Sequence, residues 1–147
     1  MTDWPAAEID TVARLRALAA GVHGAAVTER VVDAPYDTVW PLLTALEGVV
    51  TDLHRVRIQR SGSDTLTVEA RSRYGLRARL HGVQQPGYCW LQSRFLLVGF
   101  AAVPQGARTR VAFTGGVRVP GRAALVPLGV RREGRASLER LARRAAG

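Results

Sequence analysis

The sequence has 147 residues, of which 47% are hydrophobic, and its formal net charge is +9. This size and composition predict one folded core, and the longest apolar run, residues 95–103, is about half the length of a membrane-spanning helix. The single cysteine, Cys89, excludes an internal disulfide and a cysteine-based zinc site, and acidic residues near the N-terminus do not fit a signal peptide. We therefore expect a soluble, cytoplasmic protein.

The N-terminal pattern predicts a helix over residues 5–20, followed by a strand over residues 25–33. Glu8 and Asp10 are expected near the N-terminal end of the helix, where its dipole favours acidic side chains. The strand segment alternates, as it does when one face is buried. Ile9, Val12 and Arg16 are expected along one line of the helix, with Leu15, Leu18 and Ala19 beside them. Of these, Ile9, Val12, Leu15 and Leu18 need a surface that covers them.

A second helix is predicted to begin at Pro35, because proline fits the first helical position. Its inward stripe is expected at Val39, Leu43 and Leu46, with Trp40 beside it. Strand patterns follow at residues 54–59, 65–73, 76–81, 88–103 and 108–119. Residues 88–103 are long enough for two strands, and we place a tight reversal near Ser93.

Residues 95–103 are apolar at every position, so both faces of this strand need cover. We predict that the N-terminal helix docks over the outer face, with the same strand of a second subunit as the alternative.

The last pattern predicts a long helix over residues 130–145. Val130, Gly134, Leu138, Leu141 and Ala145 share one face of it, and arginines occupy most other positions. Glycine inside a helix costs about 1 kcal/mol relative to alanine, so Gly134 needs a reason. Close packing on a sheet, a break in the helix and room for a ligand are the alternatives.

Several of these features together resemble the START-like, helix-grip superfamily (SRPBCC), in particular its polyketide cyclase/dehydrase-like members. They are a strand ending in Asp33-Ala34-Pro35, a helix containing Val39-Trp40, several antiparallel strands and a long C-terminal helix after Val119-Pro120. The resemblance covers residues 25–145. Residues 48–54 depart from the aromatic, proline-containing segment that family members often carry there.

This resemblance implies an α+β fold in which a curved antiparallel sheet of about six or seven strands wraps around the C-terminal helix. Two short helices follow the first strand. The chain then divides into an N-terminal helical extension, residues 1–22, and a helix-grip domain, residues 23–147. The resemblance also implies a hydrophobic cavity between the last helix and the sheet.

The candidate ligand-binding residues are those expected to line this cavity. They are Trp40, Leu43, His54, Val56, Ile58, Tyr74, Trp90, Phe113, Val130, Gly134 and Leu138. The sequence shows no catalytic constellation, and His23, His54 and His81 lack metal-ligand spacing, so we predict no metal and no cofactor. Tyr88 and Arg94 are further polar candidates, and Cys89 is expected to be a buried, inert thiol.

Three functions fit this sequence. The first is binding of a small hydrophobic or amphipathic molecule, and the second is a polyketide cyclase/dehydratase activity. The third is a basic interaction module, because arginines occupy the outward phase of neighbouring strands: Arg55, Arg57, Arg71, Arg73, Arg77, Arg79, Arg108 and Arg110. Few aromatic residues share that phase, so no specific nucleic-acid binding is expected. A monomer and a homodimer both remain open.

Overall fold

A computed structural model of the chain describes residues 10–22, 24–45, 55–71, 77–93, 96–117 and 130–146. These residues form three helices and seven strands. In chain order they are α1 (Thr11–Ala20), β1 (Thr28–Val32), α2 (Tyr36–Ala45), β2 (Arg55–Arg60), β3 (Thr65–Arg71), β4 (Arg77–Gln85), β5 (Tyr88–Gln92), β6 (Leu96–Gln105), β7 (Arg108–Val117) and α3 (Val130–Ala146). The second short helix predicted after β1 falls outside the described residues.

The seven strands form one open antiparallel sheet in the order β1-β7-β6-β5-β4-β3-β2. This order confirms the predicted sheet, and it makes β1 and β2 the two edges. The reversal predicted near Ser93 is also confirmed, because the Ser93 N–H donates to the Leu96 carbonyl at 2.8 Å. The Leu96 N–H donates in turn to Ser93 Oγ at 2.9 Å.

The alternation along each strand gives the sheet two different faces. We call the side that carries Val68, Leu80, Val111 and Phe113 the inner face, since these side chains are buried in the main core. The opposite side is the outer face. Because β1 is an edge strand, only Val32 among its residues is buried, and Val31 is 44% exposed on the outer face.

Helix α1 begins at Thr11, and Asp10 caps it by accepting a hydrogen bond from the Ala13 N–H at 2.8 Å. Asp10 thus lies at the end of the helix dipole where it was predicted, but it precedes the first helical residue, whereas the predicted helix included it; residues 1–9 lie outside the described part. The burial of Leu18 was also predicted wrongly, because that side chain is 44% exposed. The buried side chains are Val12, Leu15 and Ala19.

Helix α1 covers the outer face of the sheet, chiefly over β6. Val12 and Leu15 pack there against Tyr88, Ala101 and Ala112. The docking predicted from the doubly apolar strand is therefore confirmed. Polar contacts surround this apolar contact: Asp10 pairs with Arg110 at 2.9 Å and Arg16 pairs with Glu29 at 2.5 Å.

Helices α2 and α3 cover the inner face. Leu138 and Leu141 of α3 are buried there, and Ala145 packs partly against the same core, which confirms this part of the predicted stripe. Ser137 is also fully buried and was not predicted. The side chain of Val130 lies outside the described structure.

Gly134 lets α3 approach the edge of the sheet closely. A Cβ atom at this position would lie 2.5 Å from Thr28 Oγ1 and 3.0 Å from Thr28 Cβ. Thr28 therefore fills the space beside the glycine, which favours close packing over room for a ligand.

Candidate ligand-binding site

The inner face of β2, β3 and β4 is a continuous apolar surface. Cross-strand pairing aligns Val56, Ala70 and Ala78 in one row and Ile58, Val68 and Leu80 in the next. Antiparallel strands place such partners on the same face, about 5 Å apart. Leu66 extends this surface along β3. The alternating sequence therefore builds one wall suited to an apolar molecule.

The C-terminal helix lies toward the other side of this inner face. The main contacts of α3 are with β7, β1 and α2, and those of α2 on the sheet are with β6 and β7. Among the inward side chains of β2, Val56 is half-buried and Ile58 is 36% exposed. The apolar surface thus continues beyond the main contacts of α3 and ends at an exposed isoleucine on the edge strand.

An aromatic pair on α2 borders the same face. The rings of Tyr36 and Trp40 stack with centroids 6.0 Å apart, and Trp40 also contacts Phe100 at 5.7 Å. Burial raises the pKa of Tyr36, so its hydroxyl stays protonated at neutral pH. Through Trp40 the aromatic pair lies against Phe100 of β6. Of the two residues, only Trp40 was a predicted site residue.

The described residues bring several predicted site positions together on the inner face. Trp40, Leu43, Val56, Phe113 and Leu138 all belong to or pack against the main core. Ile58 shares this face but remains exposed, and Gly134 contacts Thr28 instead of open space. His54, Tyr74 and the side chain of Val130 lie outside the described structure, so their predicted roles stay predictions.

The prediction for Trp90 requires a correction. Trp90 pairs with Val83 and Gly99, and its side chain packs beside the residues that α1 covers. Cys89 and Leu91 are the inward residues of β5. The candidate Tyr88 likewise lies on the outer face, where the Arg14 guanidinium sits 4.3 Å from its ring centroid. The aromatic side chains of this strand serve the contact with α1.

Sequence reasoning missed Cys89, Leu91 and Phe100 as residues of the inner face. Cys89 and Leu91 alternate with Trp90, but both faces of β5 are covered, so the alternation alone does not say which set of side chains points inward. Burial raises the pKa of the Cys89 thiol to about 12, and nearby Arg60 opposes this only in part. A thiol with so high a pKa is scarcely ionised at neutral pH and is a poor nucleophile.

The described residues contain no group of three or more histidine, cysteine, aspartate or glutamate side chains that is arranged to hold a metal ion. Within the same residues, no helix combines the length and the apolar character needed to cross a bilayer.

Solved structures share this architecture, whereas no protein-family model and no curated protein match the sequence. A protein from Thermus thermophilus is 15% identical with a TM-score of 0.57, over 83% of this chain and 97% of that one. A conserved protein of unknown function from Enterococcus faecalis is 17% identical with a TM-score of 0.57, over 81% of this chain and 69% of that one.

A third similar structure is the di-domain ARO/CYC protein BexL from the BE-7585A biosynthetic pathway. It is 11% identical with a TM-score of 0.51, and the match covers 84% of this chain and 50% of BexL. These similarities extend over 81–84% of the chain. The chain therefore has an α+β helix-grip fold, which it shares with these structures.

Proposed function

We propose that the domain binds a small hydrophobic or amphipathic molecule between α3 and the inner face of the sheet. The observation that carries this proposal is the apolar surface of β2, β3 and β4, which continues past the main contacts of α3 and ends at the exposed Ile58. Ligand sites are mostly apolar surfaces with a few polar groups that orient the ligand.

Arg60 supplies such a polar group. It pairs with Leu66 across β2 and β3, so it lies in the inward phase two residues beyond Ile58. Its charge also acts on the inward Cys89 thiol. A molecule with an apolar body on the inner face and a polar or anionic head near Arg60 would match both parts of this surface.

Binding is favoured over a cyclase/dehydratase activity, which remains the alternative suggested by the fold shared with BexL. General acid–base catalysis needs a titratable side chain within hydrogen-bond reach of the reacting atoms. Along the described strands, no carboxylate or imidazole occupies an inward position. The inward thiol of Cys89 is held protonated.

A pair of matched variants tests the proposal. Ile58→Gln places a polar side chain on the inner face, whereas Val31→Gln makes the same kind of change on the outer face of the other edge strand. With Nile red as a neutral apolar probe, Ile58→Gln should weaken binding about tenfold, since losing the burial of such a side chain costs about 1.5–3 kcal/mol. Fluorescence titration measures the affinity.

The Val31→Gln variant should bind the probe as tightly as the wild type. Equal affinities in all three proteins, or equal losses in both variants, would contradict binding at the inner face.

A further inference from the structure

The outer face of β2, β3 and β4 carries two rows of charged side chains with different compositions. In the first, which we call the mixed row, Glu69 lies between Arg57 and Arg79. Arg79 donates a hydrogen bond to Glu69 Oε1 at 2.8 Å. This hydrogen bond and the charges of Arg79, Arg57 and, from the neighbouring row, Arg77 hold the pKa of Glu69 below its ordinary value. The alternation of signs makes the mixed row electrostatically favourable.

The second row, which we call the arginine row, contains no acid. Arg71 lies directly opposite Arg77, and the backbone register places Arg55 on the other side of Arg71. In the part of the chain that the structure describes, neither Arg71 nor Arg77 makes an ion pair with a carboxylate. Like charges directly opposite each other destabilise a sheet, so this row keeps a repulsion that the mixed row avoids.

A groove of about 630 Å³ lies between the two rows. Its lining combines five charged residues that project outward with three residues whose side chains point inward: Arg57, Glu69, Arg71, Arg77 and Arg79, with Val56, Ala70 and Ala78. Along each strand the inward residue lies between a member of the mixed row and a member of the arginine row. The rows stand about 7 Å apart, which is two residue rises along a strand.

We propose that this groove binds the phosphate groups of a small phosphorylated molecule. The guanidinium group presents a planar fork of donors that matches a phosphate, and a multiply charged anion between the rows would relieve the Arg71–Arg77 repulsion. The groove volume also lies in the range of small-molecule sites, about 300–1,000 Å³. The arginines that would contact the phosphate lie in the outward phase of their strands, whereas the apolar ligand is proposed on the inner face.

A single-stranded nucleic acid fits this surface less well than a small phosphorylated molecule. Proteins that bind single strands stack the bases on aromatic side chains beside the basic groove. Outward positions of β2, β3 and β4 hold arginine, glutamine, threonine, glutamate, histidine and valine, and none holds phenylalanine, tyrosine or tryptophan.

Inorganic pyrophosphate is the probe for this site, with calorimetry at low ionic strength as the measurement. The wild type should bind it saturably at one site, and Arg71→Gln and Arg77→Gln should each weaken binding at least tenfold. Arg108→Gln is the matched control, because Arg108 is an exposed arginine on the outer face that lies 3.5 Å from Asp33. It should bind like the wild type. An equal loss in Arg108→Gln, or no saturable binding by the wild type, would overturn the proposal.

A charge reversal separates a binding site from a structural role. Arg77→Glu places an acid opposite Arg71, so without anions it should raise the Tm while abolishing pyrophosphate binding. A lower Tm would show that the arginine row is not repulsive, and retained binding would show that the site lies elsewhere. Two alternative partners are anionic vesicles and a single-stranded oligonucleotide. If either binds through Arg71 and Arg77 while pyrophosphate does not bind, the proposal of a small-molecule site is overturned.

Discussion

Gly134 shows at the scale of one residue how α3 is set against the sheet. The missing side chain lets the helix rest on Thr28, and Phe113 Cδ1 would lie 3.7 Å from an added Cβ. A helix interior normally favours alanine over glycine by about 1 kcal/mol, so the close approach must outweigh this preference. Gly134 therefore fixes the distance between α3 and the edge of the sheet.

Gly134→Ala should destabilise the protein by about 1–3 kcal/mol, because a Cβ 2.5 Å from Thr28 Oγ1 forces the helix outward. Urea denaturation measures the change. In a Thr28→Ala background, which removes that hydroxyl, the same substitution should cost at least about 1 kcal/mol less. An equal cost in both backgrounds would show that Thr28 is not the obstacle.

Helix α1 shows at the scale of an element how a sheet with two apolar faces is completed. Its buried side chains cover β6, and Gly99 of that strand leaves room for Leu15, whose Cδ1 would lie 3.0 Å from an added Cβ. At the N-terminal end, Asp10 joins the helix cap to Arg110 of β7. Apolar burial with ion pairs at its border makes α1 an integral layer of the fold.

Two leucines of α1 provide a test of this layer. Leu15 is fully buried, whereas Leu18 is 44% exposed one turn away. Leu15→Ala should lower the free energy of unfolding by about 2–5 kcal/mol, because it leaves a cavity between the helix and the sheet. Leu18→Ala should change it by no more than about 0.5 kcal/mol. Thermal or urea unfolding that shows similar losses for both variants would mean that α1 is not docked as described.

The sequence predicts helices and strands well where apolar residues recur at a regular spacing, because that spacing shows which face is buried. The alternation of Leu66, Val68 and Ala70 along β3 and the stripe of Leu138 and Leu141 along α3 are read directly from side-chain spacing. The spacing of apolar residues does not predict which face points inward where both faces of a strand are buried. On β5 both faces are covered, so nothing in the alternation says which of them faces α3, and the inward role predicted for Trp90 was wrong.

Contacts between distant parts of the chain were equally beyond the sequence. The packing of Gly134 on Thr28 and the ion pair of Asp10 with Arg110 depend on where two segments meet in space. Asp10 fits a cap and a first-turn position equally well by residue type, since both favour an acid at the start of a helix. Residue type alone therefore does not fix the residue at which α1 begins.

The whole molecule separates two kinds of chemistry on the two faces of one half-sheet. Strands β2, β3 and β4 point apolar side chains inward and charged side chains outward, and the period of two residues makes both surfaces from the same segments. The other half of the sheet carries a helical layer on each face. The fold thus leaves its inner apolar surface and its outer arginine row at the same end of the strand order.

Native mass spectrometry of the protein purified from its own host tests the central claim, binding at the inner face, most directly. The protein should carry an additional mass from one small organic molecule, and solvent extraction should remove it. The Ile58→Gln variant should carry less of this molecule than Val31→Gln. Protein that shows only the mass of its own chain, or a bound molecule retained equally by both variants, would contradict the claim.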